Sequence, residues 1–268
     1  MMRKVLFLVF WLCAVAVSAQ VGEYRRDLAV GVNGGYVLSS VGFMPKVPQG
    51  MQGGMTGGLT LRYTCEKYFK SICAVVAEVN YAQLGWKEDI LDMMDQPTRL
   101  HTDETQTLRY SRKINYMQIP VFARLGWGRE RKGFQFFFQV GPQFGLYLND
   151  TADTNFDVRQ PAFNPASPDY QYGGGKRASH VVAQDTMAIE KKFDYGIAGG
   201  LGLEFSNRHL GHFLLEGRYY YGLGNIYGNT KRDYFGRSNF SNIVVKFTYL
   251  FDIIISRSEE RRVGKECR

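Results

Sequence analysis

The chain has 268 residues, a length that admits two average domains but that single all-β barrels and sandwiches also fill. Hydrophobic residues at 45% and charged residues at 22% exclude a disordered chain, and 30 Gly, 17 Tyr and 19 Phe favour strands and turns over helices. The net charge of +8 is spread along the chain, with +2 from Arg3 and Lys4 and +1 from residues 252–268, whereas a nucleic-acid binder clusters its basic residues; solvated loops and contacts with anionic lipid head groups account for it.

The N-terminus sets the compartment. Arg3 and Lys4 precede an apolar run from Val5 to Val17, and Val17-Ser18-Ala19 supplies small residues before Gln20, so residues 1–19 read as a secretory signal cleaved near Ala19. Bulky Phe10, Trp11 and Leu12 ahead of Cys13 do not fit a lipoprotein cysteine. After residue 20 no stretch approaches the roughly 20 apolar residues of a spanning helix. A membrane barrel remains open, because alternating strands keep the mean hydropathy low, here −0.25.

Period-two alternation then marks eight strands in chain order: Leu28 to Leu38, Met55 to Thr64, Ile72 to Trp86, Tyr110 to Trp127, Phe134 to Leu148, Phe193 to Phe205, His212 to Gly224 and Asn242 to Phe251. In Phe193 to Phe205 the odd positions carry Phe193, Tyr195, Ile197, Leu201, Leu203 and Phe205, and the even ones Asp194, Glu204 and small residues. Near Ile72, Cys65 and Cys73 form a close pair, a candidate disulfide or two free thiols in an oxidising compartment. Pro120 predicts a bulge or a local bend, since proline removes a ladder donor. Gly199, Gly200 and Gly202 lie inside an alternating strand, which argues against a nucleotide fingerprint.

Long and short connections alternate, the long ones being Ser39 to Gly54, Lys87 to Arg109, Asn149 to Lys192 and Asn225 to Ser241. Short turns on one side and long loops on the other match outer-membrane barrels. Phe136, Phe138, Val140, Phe144, Leu146 and Leu148 make one face bulky and apolar, while Gln135, Gln139 and Gln143 make the other polar, the apolar-out pattern of a membrane wall. Aromatic girdles are expected from Tyr63, Trp127, Phe134, Phe205, Phe213 and Phe251 at one end and Tyr36, Trp86, Tyr147, Phe193 and Tyr221 at the other. The expected fold is an all-β, eight-stranded antiparallel up-and-down transmembrane β-barrel over residues 20–252, with residues 253–268 a tail foreign in composition to it.

The segment Asn115-Tyr-Met-Gln-Ile-Pro-Val121, the run Phe193-Asp-Tyr-Gly-Ile-Ala-Gly-Gly-Leu-Gly-Leu-Glu-Phe205 and the terminal aromatic strand through Phe251 resemble the PorT-like outer-membrane β-barrel family. The resemblance implies a barrel of this type and a link to protein secretion by the type IX system.

Inward parity collects Arg62, Arg124, Arg218 and Lys246 against Glu78, Asp194, Glu204 and Glu216. An eight-stranded bore has room only for side chains, so these eight are expected to form a paired lumen network. The connection from Asn149 to Lys192, with Phe156, Phe163, Tyr170 and Tyr172, is the candidate partner loop. The expected role is a non-enzymatic outer-membrane protein in contact with lipid, binding envelope or secretion proteins through its loops, with no cofactor, no metal and no nucleic acid. Two alternatives remain. One is a rim enzyme (acyltransferase or protease) assembled from His101, Asp103, His180 and Asp185, and the other is a narrow solute channel; His209 and His212 are a weak metal spacing.

Overall fold

The computed structural model describes residues 23–68, 71–90, 96–97, 99–100, 103–129, 132–156, 184–185, 187–207, 210–228 and 234–254. Its strands are β1 Glu23–Met44, β2 Gln49–Tyr68, β3 Ser71–Asp89, β4 Arg99–Leu100, β5 Asp103–Thr107, β6 Arg109–Gly128, β7 Gly133–Thr154, β8 Phe193–Asn207, β9 Gly211–Gly222 and β10 Arg237–Ile254. Eight close into a ring in the order β1-β10-β9-β8-β7-β6-β3-β2, each antiparallel to both neighbours, and β4 with β5 forms a small two-stranded sheet in the connection between β3 and β6. A closed ring pairs the backbone of every wall strand and leaves no lateral edge, which is what hydrocarbon requires.

All eight expected strands are present, and several run higher than expected at their outer ends. Residues 39–54 are a correction. β1 continues to Met44 and β2 begins at Gln49, so only residues 45–48 turn the chain. The reason is packing: Val41, Phe43 and Val47 point inward and are buried in the apolar core of the outer half, which rewards extending a hairpin that glycines had made look like a loop. The wall is uneven. The β6–β7 ladder climbs to Tyr110↔Thr154, whereas β7–β8 stops at Leu146↔Phe193 and β8–β9 at Gly196↔Gly222. At the opposite end of the barrel Gly211, at φ +86°, adopts a left-handed conformation that an L side chain would strain.

Two strands show how the faces are assigned. On β3, Glu78 and Asn80 face the bore while Val79 and Tyr81 face out; above Tyr81 the sense inverts, with Ala82, Leu84 and Trp86 buried inside and Lys87 exposed outside. On β6 the same inversion falls between Met117 and Asn115, with Ile114 and Tyr116 inside and Lys113 outside. Below this level the outer solvent is lipid and the bore is polar. Above it the outer solvent is water and the interior is an apolar core of the kind found in soluble proteins, built from Val37, Phe43, Leu84, Trp86, Ile114, Tyr227, Phe235 and Phe240.

This geometry corrects three local expectations. Trp86 is fully buried and belongs to the core, not to a girdle. Tyr147 lies beside a register shift between Asn115 and Tyr116, and packs edge-on to Tyr116 at 6.1 Å. Pro120 causes no bulge, because Pro120↔Gln143 and Ala123↔Val140 keep one register across it. Of the other named girdle residues, Tyr63, Trp127, Phe134, Phe205 and Phe251, and Tyr36, Phe193 and Tyr221 opposite, are exposed on the outer wall, and Phe213 is half-buried. Cys65 and Cys73 are free thiols, so the candidate disulfide is not formed. A bulge between Thr64 and Glu66 steps Cys65 out of register, and Cys73 pairs with Glu66 instead.

Candidate functional site

The bore is filled in layers. Nearest the short turns, Glu204 on β8 sits at the centre of a cationic cluster. Arg62 Nη1 donates to its Oε1 at 2.7 Å, Arg124 donates to Oε2, and His212 Nδ1 lies 2.7 Å from Oε1. His212 Nε2 reaches Asp252 Oδ2 at 3.0 Å, and the Arg124 guanidinium lies 3.6 Å from the centroid of the Phe137 ring. Ser206 Oγ also lies 2.8 Å from His212 Nδ1, so serine, histidine and aspartate stand in the order of a hydrolytic triad. The surroundings suit another role: both ring nitrogens face carboxylates and fit as donors, and an imidazole donating on both sides has no lone pair with which to accept a serine proton. A cavity of about 40 Å³ lies among these side chains, room for little beyond water.

The middle layer holds two cations and two anions. Arg218 grips Glu78 with two bonds of 3.1 and 3.0 Å and Glu216 with one of 2.6 Å. Lys246 Nζ lies 2.6 Å from Glu78 and 3.1 Å from Glu216, and Gln139 donates to Glu216 at 2.9 Å. Asn80 donates to Glu78 at 2.8 Å and accepts from Asn33 at 2.8 Å, while Asn33 also donates to Thr60 at 2.8 Å. The Arg218 guanidinium stacks 4.3 Å from the Phe122 ring. Charges this deeply buried persist only when paired, and here each carboxylate meets both cations.

Above it lies Asp194, which accepts from Tyr220 Oη at 2.7 Å. The outer mouth is closed by chain from the long connection. Gln184, fully buried, accepts from Trp86 Nε1 and donates to Glu88. Arg112 holds the same segment, its Nη1 reaching the carbonyls of Gln184 at 2.5 Å and Met187 at 3.0 Å and the Tyr227 hydroxyl at 3.0 Å, while Nη2 pairs with Asp150 at 2.6 Å. Phe43, Trp86, Tyr227 and Phe235 pack around it, with Phe43 at 4.7 Å from Phe235 and 5.3 Å from Trp86. Burial pushes the Tyr227 hydroxyl up to about 12, with the nearby Arg112 charge opposing the rise.

All eight expected lumen residues are therefore inside and buried, but they divide into two networks. Asp194 joins neither, since its partner is a tyrosine and no cation reaches it among the described residues. Asp252 takes its place, together with His212, the first residue of the expected strand His212 to Gly224, which the inward count had left out. Both share the parity of Lys246 and Arg218, so carrying the alternation to the strand ends would have found them. Arg112 and Gln184 were also missed, and Gln184 had no periodic signal. Of the partner-loop aromatics, Phe156 lies two residues beyond the end of β7, while Phe163, Tyr170 and Tyr172 lie outside the described residues. So do residues 1–19, His101, His180 and His209. No cluster of metal-ligating side chains occurs among the described residues.

Among solved structures the chain is similar to OprG of Pseudomonas aeruginosa, at 15% identity and a TM-score of 0.40 over 86% of this chain and 98% of that one. It is also similar to the Neisserial surface protein NspA, at 10% identity and a TM-score of 0.37 over 84% and 97%, and to AlkL, at 11%, 0.34, 88% and 95%. No curated protein matches the sequence. Residues 18–228 match the family of the outer membrane protein beta-barrel domain. With most of its length matched and a closed ring of eight antiparallel strands, the chain belongs to that family and is a protein of the outer membrane.

Proposed function

We propose that the protein is a non-enzymatic, non-conducting barrel that holds a raised external platform in the outer membrane for an envelope partner. The observation that supports this reading most is the filled bore. Two ion-pair layers and an aromatic core occupy it from the short turns to the mouth, and Gln184 is locked over the top. A bore filled by side chains leaves no room for a solute path, so function passes to what stands outside. The finer reading, an accessory role in protein secretion of the type IX kind, rests on the PorT-like resemblance.

The test has two arms. In planar bilayers the purified protein should show no conductance steps. Replacing residues 157–183 with a short Gly-Ser linker, which spares β7 and Gln184, should leave a barrel that still shifts on gels after heating but no longer captures its crosslinked envelope partners. Discrete conductance overturns the closed-barrel part, and undiminished capture of the same partners by the shortened protein removes the platform from this loop.

A further inference from the structure

At the short-turn end of the bore, one buried side chain is provided for in two protonation states. His212, near the start of β9 and 6% exposed, has Glu204 Oε1 at 2.7 Å and Ser206 Oγ at 2.8 Å from its Nδ1, and Asp252 Oδ2 at 3.0 Å from its Nε2. We infer that His212 is a pH-operated clasp: charged, it ties β8 and β10 to β9, and on losing its proton it releases Glu204.

Geometry fixes the charged form. A carboxylate only accepts, so the ring nitrogens beside Glu204 and Asp252 must both donate, and a ring that donates on both sides is an imidazolium. The other groups facing the cluster set its balance. Arg62 from β2 and Arg124 from β6 bind Glu204, Arg62 also stands 3.7 Å from Asp252, and Asp27 from β1 lies 4.0 Å from Arg25. β7 adds neutral Gln135, and β3 adds only Ile72 and Ala74. With the Asp27–Arg25 pair set apart, charged His212 makes three cations against two carboxylates, and neutral His212 makes two against two. Hydrogen bonding therefore holds the proton, while charge balance lets it go. Histidine without such forces changes charge between about pH 5 and 8, and their opposition keeps the switch within reach.

Proton loss falls on Nδ1 because a substitute donor stands there. The Ser206 hydroxyl donates to Glu204 at 3.2 Å, and rotation about its Cβ–Oγ bond turns it to Nδ1 at 2.8 Å. Glu204 then loses two donors in one step and faces a ring lone pair at 2.7 Å, so it draws back toward Arg62 and Arg124. Nε2 keeps its hydrogen for Asp252, but as a neutral donor whose bond is about half as strong as a charge-assisted one. The Asp252 side chain is 28% exposed, which gives solvent a way in. The clasp is thus closed at low pH and opens as pH rises, since stability gained from a proton held in the folded state is lost as that proton leaves.

Nitrogen NMR of the full-length protein, labelled at histidine and folded in lipid vesicles, tests this. The His212 signals, identified by their absence from a His212→Gln variant, should show both nitrogens protonated at about pH 5 and only Nε2 protonated at about pH 9. Over the same range, hydrogen-exchange protection of amides 203–206 and 211–213, corrected for the intrinsic rate, should fall about tenfold while amides 216–220 hold theirs. His212→Gln should abolish that fall. Ser206→Ala, which removes the substitute donor, should move its midpoint to higher pH. A fall that persists in His212→Gln, a midpoint unmoved or lowered in Ser206→Ala, a proton lost first from Nε2, or a His212 that stays in one protonation state throughout overturns the inference.

Discussion

Arg218 on β9 and Glu78 on β3 meet across the bore, 140 residues apart in sequence, in a two-pronged pair of 3.0 and 3.1 Å. Neither strand neighbours the other in the ring, so the pair braces opposite walls. Arg218→Leu leaves two buried carboxylates to Lys246 alone and should cost about 3–5 kcal/mol. The double variant Arg218→Leu, Glu78→Leu leaves one cation with one anion and should recover most of that loss. Urea unfolding in lipid vesicles, followed by tryptophan fluorescence, measures both.

The inward and outward faces of β8 are separable by adjacent residues. Leu203 is half exposed to lipid, while a Cβ on Gly202 would lie 2.4 Å from the Phe137 ring and 2.6 Å from the Leu215 carbonyl. Gly202→Ala should therefore cost about 1–3 kcal/mol through overpacking. Leu203→Arg should cost about 2–4 kcal/mol by placing a charge in lipid near the midplane. Leu203→Ala should be milder than Gly202→Ala, and the same unfolding assay gives the ranking.

Arg112→Met removes the donors that hold the Gln184 and Met187 carbonyls and the partner of Asp150. Hydrogen bonds from a charged group contribute about 1.5–3 kcal/mol each, so the amides of residues 187–192 should exchange more than tenfold faster while β3 and β6 below the mouth keep their protection. Trp86 loses its fixed Gln184 acceptor, and its emission should shift to the red.

Tyr227 gives a pH signature. Its folded value of about 12 stands above the ordinary value of 10, so the stability that goes with burying the neutral phenol is complete below pH 10. It is lost as pH rises from about 10 to 12, where the unfolded chain ionises first. Ultraviolet titration of tyrosinate should show one fewer late-ionising phenol in Tyr227→Phe than in wild type.

The wall was legible because lipid enforces strict alternation, as on β8 from Phe193 to Phe205, where bulky residues face out and small or charged ones face in. The same rule placed Arg62, Glu78, Glu204 and Lys246 in the bore. It failed where the solvent outside changes. Above Tyr81 the chain alternates as regularly as before, but Gln83 and Lys87 now mark the outside and Leu84 and Trp86 the inside, so Trp86 passed for an interfacial residue. The inversion is itself written in β3 and β6, and a reading that allowed the sign of the alternation to change along a strand would have found the raised wall. Gln184 is different in kind. Its burial depends on a mouth built by Trp86, Arg112 and Tyr227 from three separate segments, and nothing in its own neighbourhood announces that contact.

The seam between β1 and β10 sets an order of assembly. β1 finds one partner at once in β2, but the other only in β10, with pairs from Leu28↔Ile254 to Met44↔Arg237 joining the two extremes of the barrel sequence. Until β10 arrives, the growing sheet carries two open edges, and His212 lacks Asp252. The middle layer also lacks Lys246, which leaves Glu78 and Glu216 sharing a single arginine. Closure therefore completes both charge layers in the same step that removes the edges, so a chain stopped at Gly222 is left with an unbalanced interior as well as an unpaired rim, a species suited to chaperones and proteases but not to the bilayer.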